Sequence, residues 1–124
     1  MSRTPPLALD RYLAASDRAI ADHTAMDELL DVFAPEAVVQ IDDTPIRGAE
    51  AIREFYRGYV NAHVASQHFW NTTVLTDGRQ RAEWVCAART AGGAVITVAG
   101  VEHATIGPDD RIVELRNEFT RPPA

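Results

Sequence analysis

The chemistry open to this sequence rests on a few polar residues set among apolar ones. Glu102 follows Val95-Ile96-Thr97-Val98-Ala99-Gly100-Val101 and precedes His103, a lone carboxyl in an almost wholly apolar run. Side chains alternate along a strand, so Gly100, Glu102 and Ala104 share one face and His103 takes the other. If the Glu102 face is interior, the carboxyl loses hydration, its pKa rises, and it can serve as acid or base near neutrality. The plainer alternative is a glutamate in solvent or paired with a strand-borne Arg89 or Arg116. His68, in HFWNTTV, shares a face with Trp70 and Thr72 and is the histidine best placed to shuttle a proton; the alternative is a histidine that merely caps the strand. His103 reads as a surface or interface residue, and His63 and His23 as exposed.

The remaining candidates have a functional and a structural reading each. Asp42, with Asp43, is either a base at a pocket mouth or a turn residue before Pro45, where Asp is favoured by local hydrogen bonding. Tyr56 can hold a substrate oxygen. Asp17 is a solvent-facing charge unless it turns inward beside Tyr56, where neighbouring acids would push each other's pKa apart. Tyr12 lies on the inner face of the same helix. Trp84 and Phe119 line a cavity or are ordinary core aromatics. Asn117, between Leu115 and Phe119, needs hydrogen-bond partners if buried and could orient a ligand carbonyl. The catalytic candidates are thus Glu102, His68, Asp42 and Tyr56, and the substrate-binding candidates Asp17, Tyr12, Trp84, Asn117 and Phe119.

The elements that must position these residues follow from periodicity. After a disordered start over residues 1–6, Leu9, Tyr12, Leu13, Ser16 and Ile20 fall on one face of a first helix from Leu7 to about Asp22. Thr24 is read as the N-cap of a second, with Asp27 in the capping-box position, and Pro35 ends it. Ala37-Val38-Val39 and Ile41 form a strand ending in a turn from Asp42 to Pro45. After Gly48, Ile52, Phe55, Tyr56, Tyr59 and Val60 recur at helical spacing. Four strands follow, Gln67–Thr76, Arg79–Thr90, Ala94–Ile106 and Arg111–Thr120, joined by tight turns into an antiparallel meander. This is an α+β plan in one domain spanning 1–124, with a curved sheet wrapping three helices and leaving a pocket at one end.

Composition narrows the function further. The chain has 124 residues, 46% of them hydrophobic, and no run approaches the roughly 20 apolar residues of a membrane span. A net charge of −6 and a pI of about 5.1 argue against nucleic acid as a partner. The start of the chain lacks the continuous apolar stretch of a signal peptide, so a cytoplasmic protein is expected. All 12 basic residues are Arg, which excludes lysine Schiff-base chemistry. The single Cys86 reads as a buried core thiol. There is no metal-ligand spacing, phosphate-binding glycine loop or nucleophile elbow, so no metal and no cofactor is expected.

Arg47-Gly48 followed by Ala51-Ile52-Arg53-Glu54-Phe55-Tyr56, then Val101-Glu102-His103, set in this order of helices and strands, resembles the nuclear transport factor two-like superfamily. That superfamily includes SnoaL-like polyketide cyclases, scytalone dehydratase and ketosteroid isomerases. The resemblance runs from Leu9 to Phe119 and implies a cone-shaped α+β barrel of cystatin-like plan, with a strongly curved, mostly antiparallel sheet. Residue by residue, the isomerases' protonated pocket acid falls on Glu102, and their supporting tyrosine on Tyr56. Their main oxyanion tyrosine falls on Asp17, a second tyrosine on Phe33, and the general base on Ile41 with Asp42 one residue away. Steroid isomerisation itself is therefore not expected. The resemblance implies a cofactor-independent isomerase, cyclase or dehydratase acting on a small apolar carbonyl-bearing molecule, polyketide- or steroid-like. The alternative is a ligand-binding or dimerisation module of the same fold. It also implies a homodimer, formed through an outer sheet face bearing Val95, Thr97, Ala99, Val101 and His103.

Overall fold

The computed structural model describes residues 6–122; residues 1–5, part of the expected disordered start, lie outside that span. Helix α1 (Ala8–Ala21) buries Leu9, Tyr12, Leu13, Ser16 and Ile20, the face given by its periodicity. Gln80 from a distant strand accepts the Leu9 N–H at 3.0 Å, satisfying one of the orphan donors at the helix start. A short 3₁₀ turn (His23–Ala25) then leads into α2 (Met26–Leu30). Asp22 caps the turn, its Oδ1 accepting from the Thr24 backbone N–H at 3.0 Å and from its hydroxyl at 2.7 Å, while α2 itself follows Ala25 without a side-chain cap, so Thr24 is not its N-cap.

Strand β1 (Phe33–Ile41) begins earlier than the apolar run suggested, and α2 ends well before Pro35. Pro35 is accommodated because its stretch of β1 breaks register against β6 between Phe33 and Val38, where a missing N–H costs no ladder bond. Strand β2 (Thr44–Arg47) occupies part of what read as a turn; Asp42 and Asp43 alone make the hairpin, with Asp42 at φ +49°. Pro45 is tolerated there because β2 is an edge strand. Gly48, at φ +87°, then starts α3 (Ala49–Asn61), a conformation that favours glycine.

Strands β3 (His63–Val74), β4 (Gln80–Thr90), β5 (Val95–Ile106) and β6 (Ile112–Arg121) form the expected meander, although β3 begins at His63, ahead of Gln67. The sheet order is β2-β1-β6-β5-β4-β3, antiparallel throughout except for the parallel β1–β6 pair. The sheet is not closed, since β2 and β3 are edges, so the cone is open along one side. Helix α1 lies against β3, and α3 against β1 and β2. The core between helices and sheet contains Leu9, Leu13, Leu29, Ile52, Ile112 and Leu115, each at most 1% exposed. Each such side chain contributes about 1.5–3 kcal/mol by leaving water. No described helix is long and apolar enough to cross a membrane.

Candidate active site

Within this core the inward faces of two helices and four strands deliver polar groups to one cavity of about 90 Å³. Its deep end is lined by Tyr12 and Ser16 of α1, Tyr56 of α3, Glu102 of β5 and Asn117 of β6. The half-buried Ile41, Phe55, Tyr59 and Phe119 form its mouth, and His68, Trp84 and Leu13 complete the walls. Larger grooves on the surface are open and hold mostly paired charges or apolar side chains. Among the described residues, this small cavity brings several buried titratable groups together.

Glu102 is 4% exposed, and its Oε2 has no hydrogen-bond partner among the described residues. No Arg reaches it; Arg116 instead approaches Glu118 at 3.5 Å. Burial pushes its carboxyl up to about 8, and the nearby His68 charge offsets only part of that rise. At neutral pH the side chain is therefore mostly the neutral acid, because an unpaired buried carboxylate costs too much.

His68 is held from behind. Its Nδ1 donates to Asp17 Oδ1 at 2.6 Å, and its backbone N–H donates to Asp17 Oδ2 at 2.8 Å. The Ser66 hydroxyl adds a third bond to Asp17 at 2.5 Å. Burial opposes ionisation of Asp17, but these three donors hold its carboxyl below the usual range. Burial would likewise lower His68, yet the hydrogen bond to Asp17 and that carboxylate's charge outweigh it and raise the imidazole to about 9. Since Nδ1 is committed to a carboxylate, Nε2 is the ring nitrogen left to the cavity.

The remaining polar groups are also fixed by their partners. The Tyr12 and Tyr56 hydroxyls share a hydrogen bond at 2.8 Å. Burial first, and for both a nearby Glu102 charge as well, lifts these phenols far above their ordinary range, so both stay neutral. Trp84 Nε1 donates to Asn117 Oδ1 at 3.1 Å. An indole N–H can only donate, so the Asn117 carbonyl must face Trp84 and its NH₂ is left free. Gly100 makes room for this indole: a Cβ there would lie 2.8 Å from the Trp84 ring and 2.6 Å from the Glu118 carbonyl oxygen.

The structure thus brings together Glu102, His68, Tyr56, Tyr12, Trp84, Asn117 and Phe119. Asp17 stands behind His68 rather than in the cavity lining, and its partner is the imidazole, not Tyr56. Asp42 is exposed in the β1–β2 turn, where its N–H donates to the Asn117 backbone carbonyl at 2.9 Å and its Oδ1 accepts from the Phe119 N–H at 3.3 Å. It does not line the cavity; Ile41, one residue earlier and on the other face, does. His103 is half-buried on the outer side, 3.3 Å from Glu118, and His63 packs on Tyr59. Tyr59 and Phe55 read in the sequence only as helix core; their spacing, three residues after Tyr56 and Ile52 respectively, was the signal for the mouth. Among the described residues, no group of three His, Cys, Asp or Glu side chains is placed to hold a metal.

A SnoaL-like domain model matches residues 9–115, nearly the whole chain. The chain belongs to the SnoaL-like family. This SnoaL-like protein shares its fold with an NTF2-like protein of unknown function from Exiguobacterium sp. 255-15, at 26% identity and a TM-score of 0.82 over 90% of this chain and 97% of that one. A Δ5-3-ketosteroid isomerase from Mycobacterium sp. superposes with a TM-score of 0.74 at 19% identity, over 93% and 95% of the two chains. RV0760c from Mycobacterium tuberculosis, solved in complex with estradiol-17β-hemisuccinate, gives 0.72 at 18% identity over 88% and 91%. No curated protein matches the sequence. At these identities the two mycobacterial likenesses show the fold of this SnoaL-like domain; its chemistry has to be argued from its own cavity.

Proposed function

We propose that the chain is a cofactor-independent acid/base enzyme acting on a small, apolar, carbonyl-bearing molecule. The observation that carries this reading is the pairing, across one cavity, of an unpartnered buried Glu102 with a His68 oriented by Asp17. Neutral Glu102 donates a hydrogen bond to the substrate carbonyl oxygen, with Asn117 and the Tyr12–Tyr56 pair beside it. Charge that develops on that oxygen then meets fixed donors in a dry site. The neutral form of His68 takes a proton from the carbon next to the carbonyl. The resulting imidazolium returns that proton to another carbon, giving an isomer, or to a departing hydroxyl, giving a dehydrated product. Tyr56 supports Glu102, whereas Asp42, in its exposed turn, takes no part in the step.

The working state needs His68 neutral while Glu102 keeps its proton. Because the first titrates at about 9 and the second at about 8, that combination is a minority at every pH and is most populated between the two values. A bell-shaped rate profile centred near pH 8.5 follows. The cavity is smaller than the roughly 150 Å³ that holds benzene in an engineered protein. It therefore receives a small ring, or the reacting end of a larger polyketide- or steroid-like molecule whose remainder leaves past Phe55 and Phe119. The SnoaL-like family and the isomerase and cyclase neighbours support this general class.

The test is hydrogen exchange. Incubation with 3-cyclohexenone in deuterium oxide, read by proton NMR, should show deuterium entering next to the carbonyl, and His68→Asn should abolish it. Exchange no faster than in buffer would overturn the reading. A second reading, binding without turnover, is favoured by His68 and Glu102 both being protonated at neutral pH; there 3-cyclohexenone would bind and not exchange.

A homodimer belongs to the same reading. On the outer sheet face Phe69 and Val85 are 63% and 52% exposed, and Val95 is 68% exposed. Phe69, Val85 and Ala99 lie side by side across β3, β4 and β5, an apolar patch that a second copy would cover.

A further inference from the structure

Most of the polar groups around the cavity are left with a donor to give, although Ser16 has spent its own on the Tyr12 backbone carbonyl at 2.9 Å and Trp84 its own on Asn117. Asn117 has its carbonyl occupied by Trp84, which leaves its two N–H donors. His68 has Nδ1 bound to Asp17, which leaves Nε2. The Tyr12–Tyr56 hydrogen bond uses one hydroxyl proton and leaves the other. Glu102 Oε2 is buried with no partner, and as the neutral acid its O–H has no acceptor among the described residues. The two acids in the neighbourhood are both occupied: Asp17 by His68 and Ser66, and Asp10 by the Trp70 indole at 2.9 Å and the Thr72 hydroxyl at 2.7 Å.

A ketone oxygen offers two lone pairs and would leave some of these donors unmatched. A carboxylate offers about four acceptor positions on two oxygens. Glu102 and Asn117 are directly opposite each other on β5 and β6, adjacent donors at one end of the cavity. The mouth, in contrast, is apolar: Ile41, Phe55, Tyr59 and Phe119. The site is polar and rich in donors at its base and hydrophobic at its exit.

From this arrangement we infer that the cavity binds small hydrophobic monocarboxylic acids as their anions, with the carboxylate received by Glu102, Asn117, His68 and the tyrosine pair and the apolar body directed to the mouth. The inference rests on the reading of the Glu102–His68 site given above and adds the charge of the ligand to it. An imidazolium at His68, set by Asp17, supplies the matching positive charge; the other titratable side chains facing it, Tyr12, Tyr56, Tyr59 and Cys86, bring no negative charge when neutral.

The experiment compares hexanoate with hexanamide, which has a similar shape and no charge, by isothermal titration calorimetry at pH 6.5 and pH 9.5. At pH 6.5 hexanoate binds at least about tenfold more tightly than hexanamide, the worth of a hydrogen bond between charged partners. The preference shrinks at pH 9.5 as Glu102 and His68 lose their protons, and titrations near pH 8.5 in buffers of different ionisation enthalpy show proton uptake on binding. His68→Asn reduces hexanoate affinity at pH 6.5 by about that factor and Asp17→Asn by less, and each variant weakens hexanoate more than hexanamide. Equal affinities, tighter hexanamide, or no hexanoate binding at millimolar concentration overturn the inference. Deuterium exchange into 3-cyclohexenone on the same sample separates the two readings: exchange without hexanoate preference removes only the carboxylate, and hexanoate preference without exchange removes only the catalysis.

Discussion

Asp17 grips His68 at two points, its Oδ1 on the ring Nδ1 at 2.6 Å and its Oδ2 on the backbone N–H at 2.8 Å. The contact joins α1 to the edge strand β3 and fixes both the tautomer and the direction of the imidazole. Replacing Asp17 by Asn removes the carboxylate and leaves burial, which opposes the charged ring, without its counterweight. The His68 midpoint should then fall from about 9 to the ordinary 6.5 or below, as followed by imidazole NMR. His68 should then set the acid limb of the rate profile, and Glu102 its alkaline limb near pH 8, so the bell widens toward acid. A His68 midpoint still near 9 in Asp17→Asn would show that the carboxylate does not set the base.

Gly100 is the position where the smallest change should disturb the site most. Gly100→Ala places a methyl group 2.8 Å from the Trp84 ring and 2.6 Å from the Glu118 carbonyl oxygen, next to a register shift in the β5–β6 pairing. Overpacking of this kind costs about 1–3 kcal/mol. Chemical denaturation should report a loss in that range, and tryptophan fluorescence should change as the indole leaves Asn117. An unchanged spectrum and midpoint would mean that the strand shifts without moving Trp84.

Stability should fall as pH rises through the neutral range. Glu102 titrates at about 8 folded, against an ordinary 4.5, so the folded chain keeps a proton that the unfolded chain has released, and stability is lost between those values. His68, at about 9 against an ordinary 6.5, contributes stability that is complete below 6.5 and is lost as pH passes 9. Each pH unit between folded and unfolded values is worth about 1.4 kcal/mol. Urea midpoints should therefore be lower at pH 9 than at pH 6, and Glu102→Gln should flatten part of that slope. Asp17 acts on the acid side, where its contribution disappears as the carboxylate is protonated. A wild-type midpoint independent of pH from 6 to 9 would contradict both assignments.

The outer sheet face gives a separate expectation. Light scattering at micromolar concentration should return a dimer, and Phe69→Asp, which puts a charge on the most exposed aromatic of the patch, should return a monomer. A wild-type monomer would contradict the homodimer.

Much of this architecture was legible before any coordinates. Alternation in a long apolar strand put Glu102 on one face with Gly100 and Ala104, though not which face, and helical spacing put Tyr12 and Tyr56 on the apolar faces of their own helices. The Asp17–His68 contact was not legible, because 51 residues separate the partners and neither the helix nor the strand period carries information about the other. Asp17 therefore read as a solvent charge. Strand β2 was hidden for a different reason: Thr44-Pro45-Ile46-Arg47 has turn composition, and its pairing to β1 comes from the two-residue hairpin at Asp42-Asp43. That same hairpin carries Asp42 out of the cavity while the residue before it, Ile41, stays in. Pro35 read as a helix stop, whereas it occupies an irregular stretch of β1 that needs no N–H.

The central claim is that a carboxyl without a partner sits in the cavity as the neutral acid. Side-chain carboxyl NMR of glutamate-labelled protein, titrated from pH 4 to pH 10 with Glu102→Gln as the assignment control, tests it directly. A Glu102 midpoint near 8 is the predicted result. A midpoint near the ordinary 4.5 would mean a hydrated carboxylate, and would remove the donor on which both the catalysis and the carboxylate site depend.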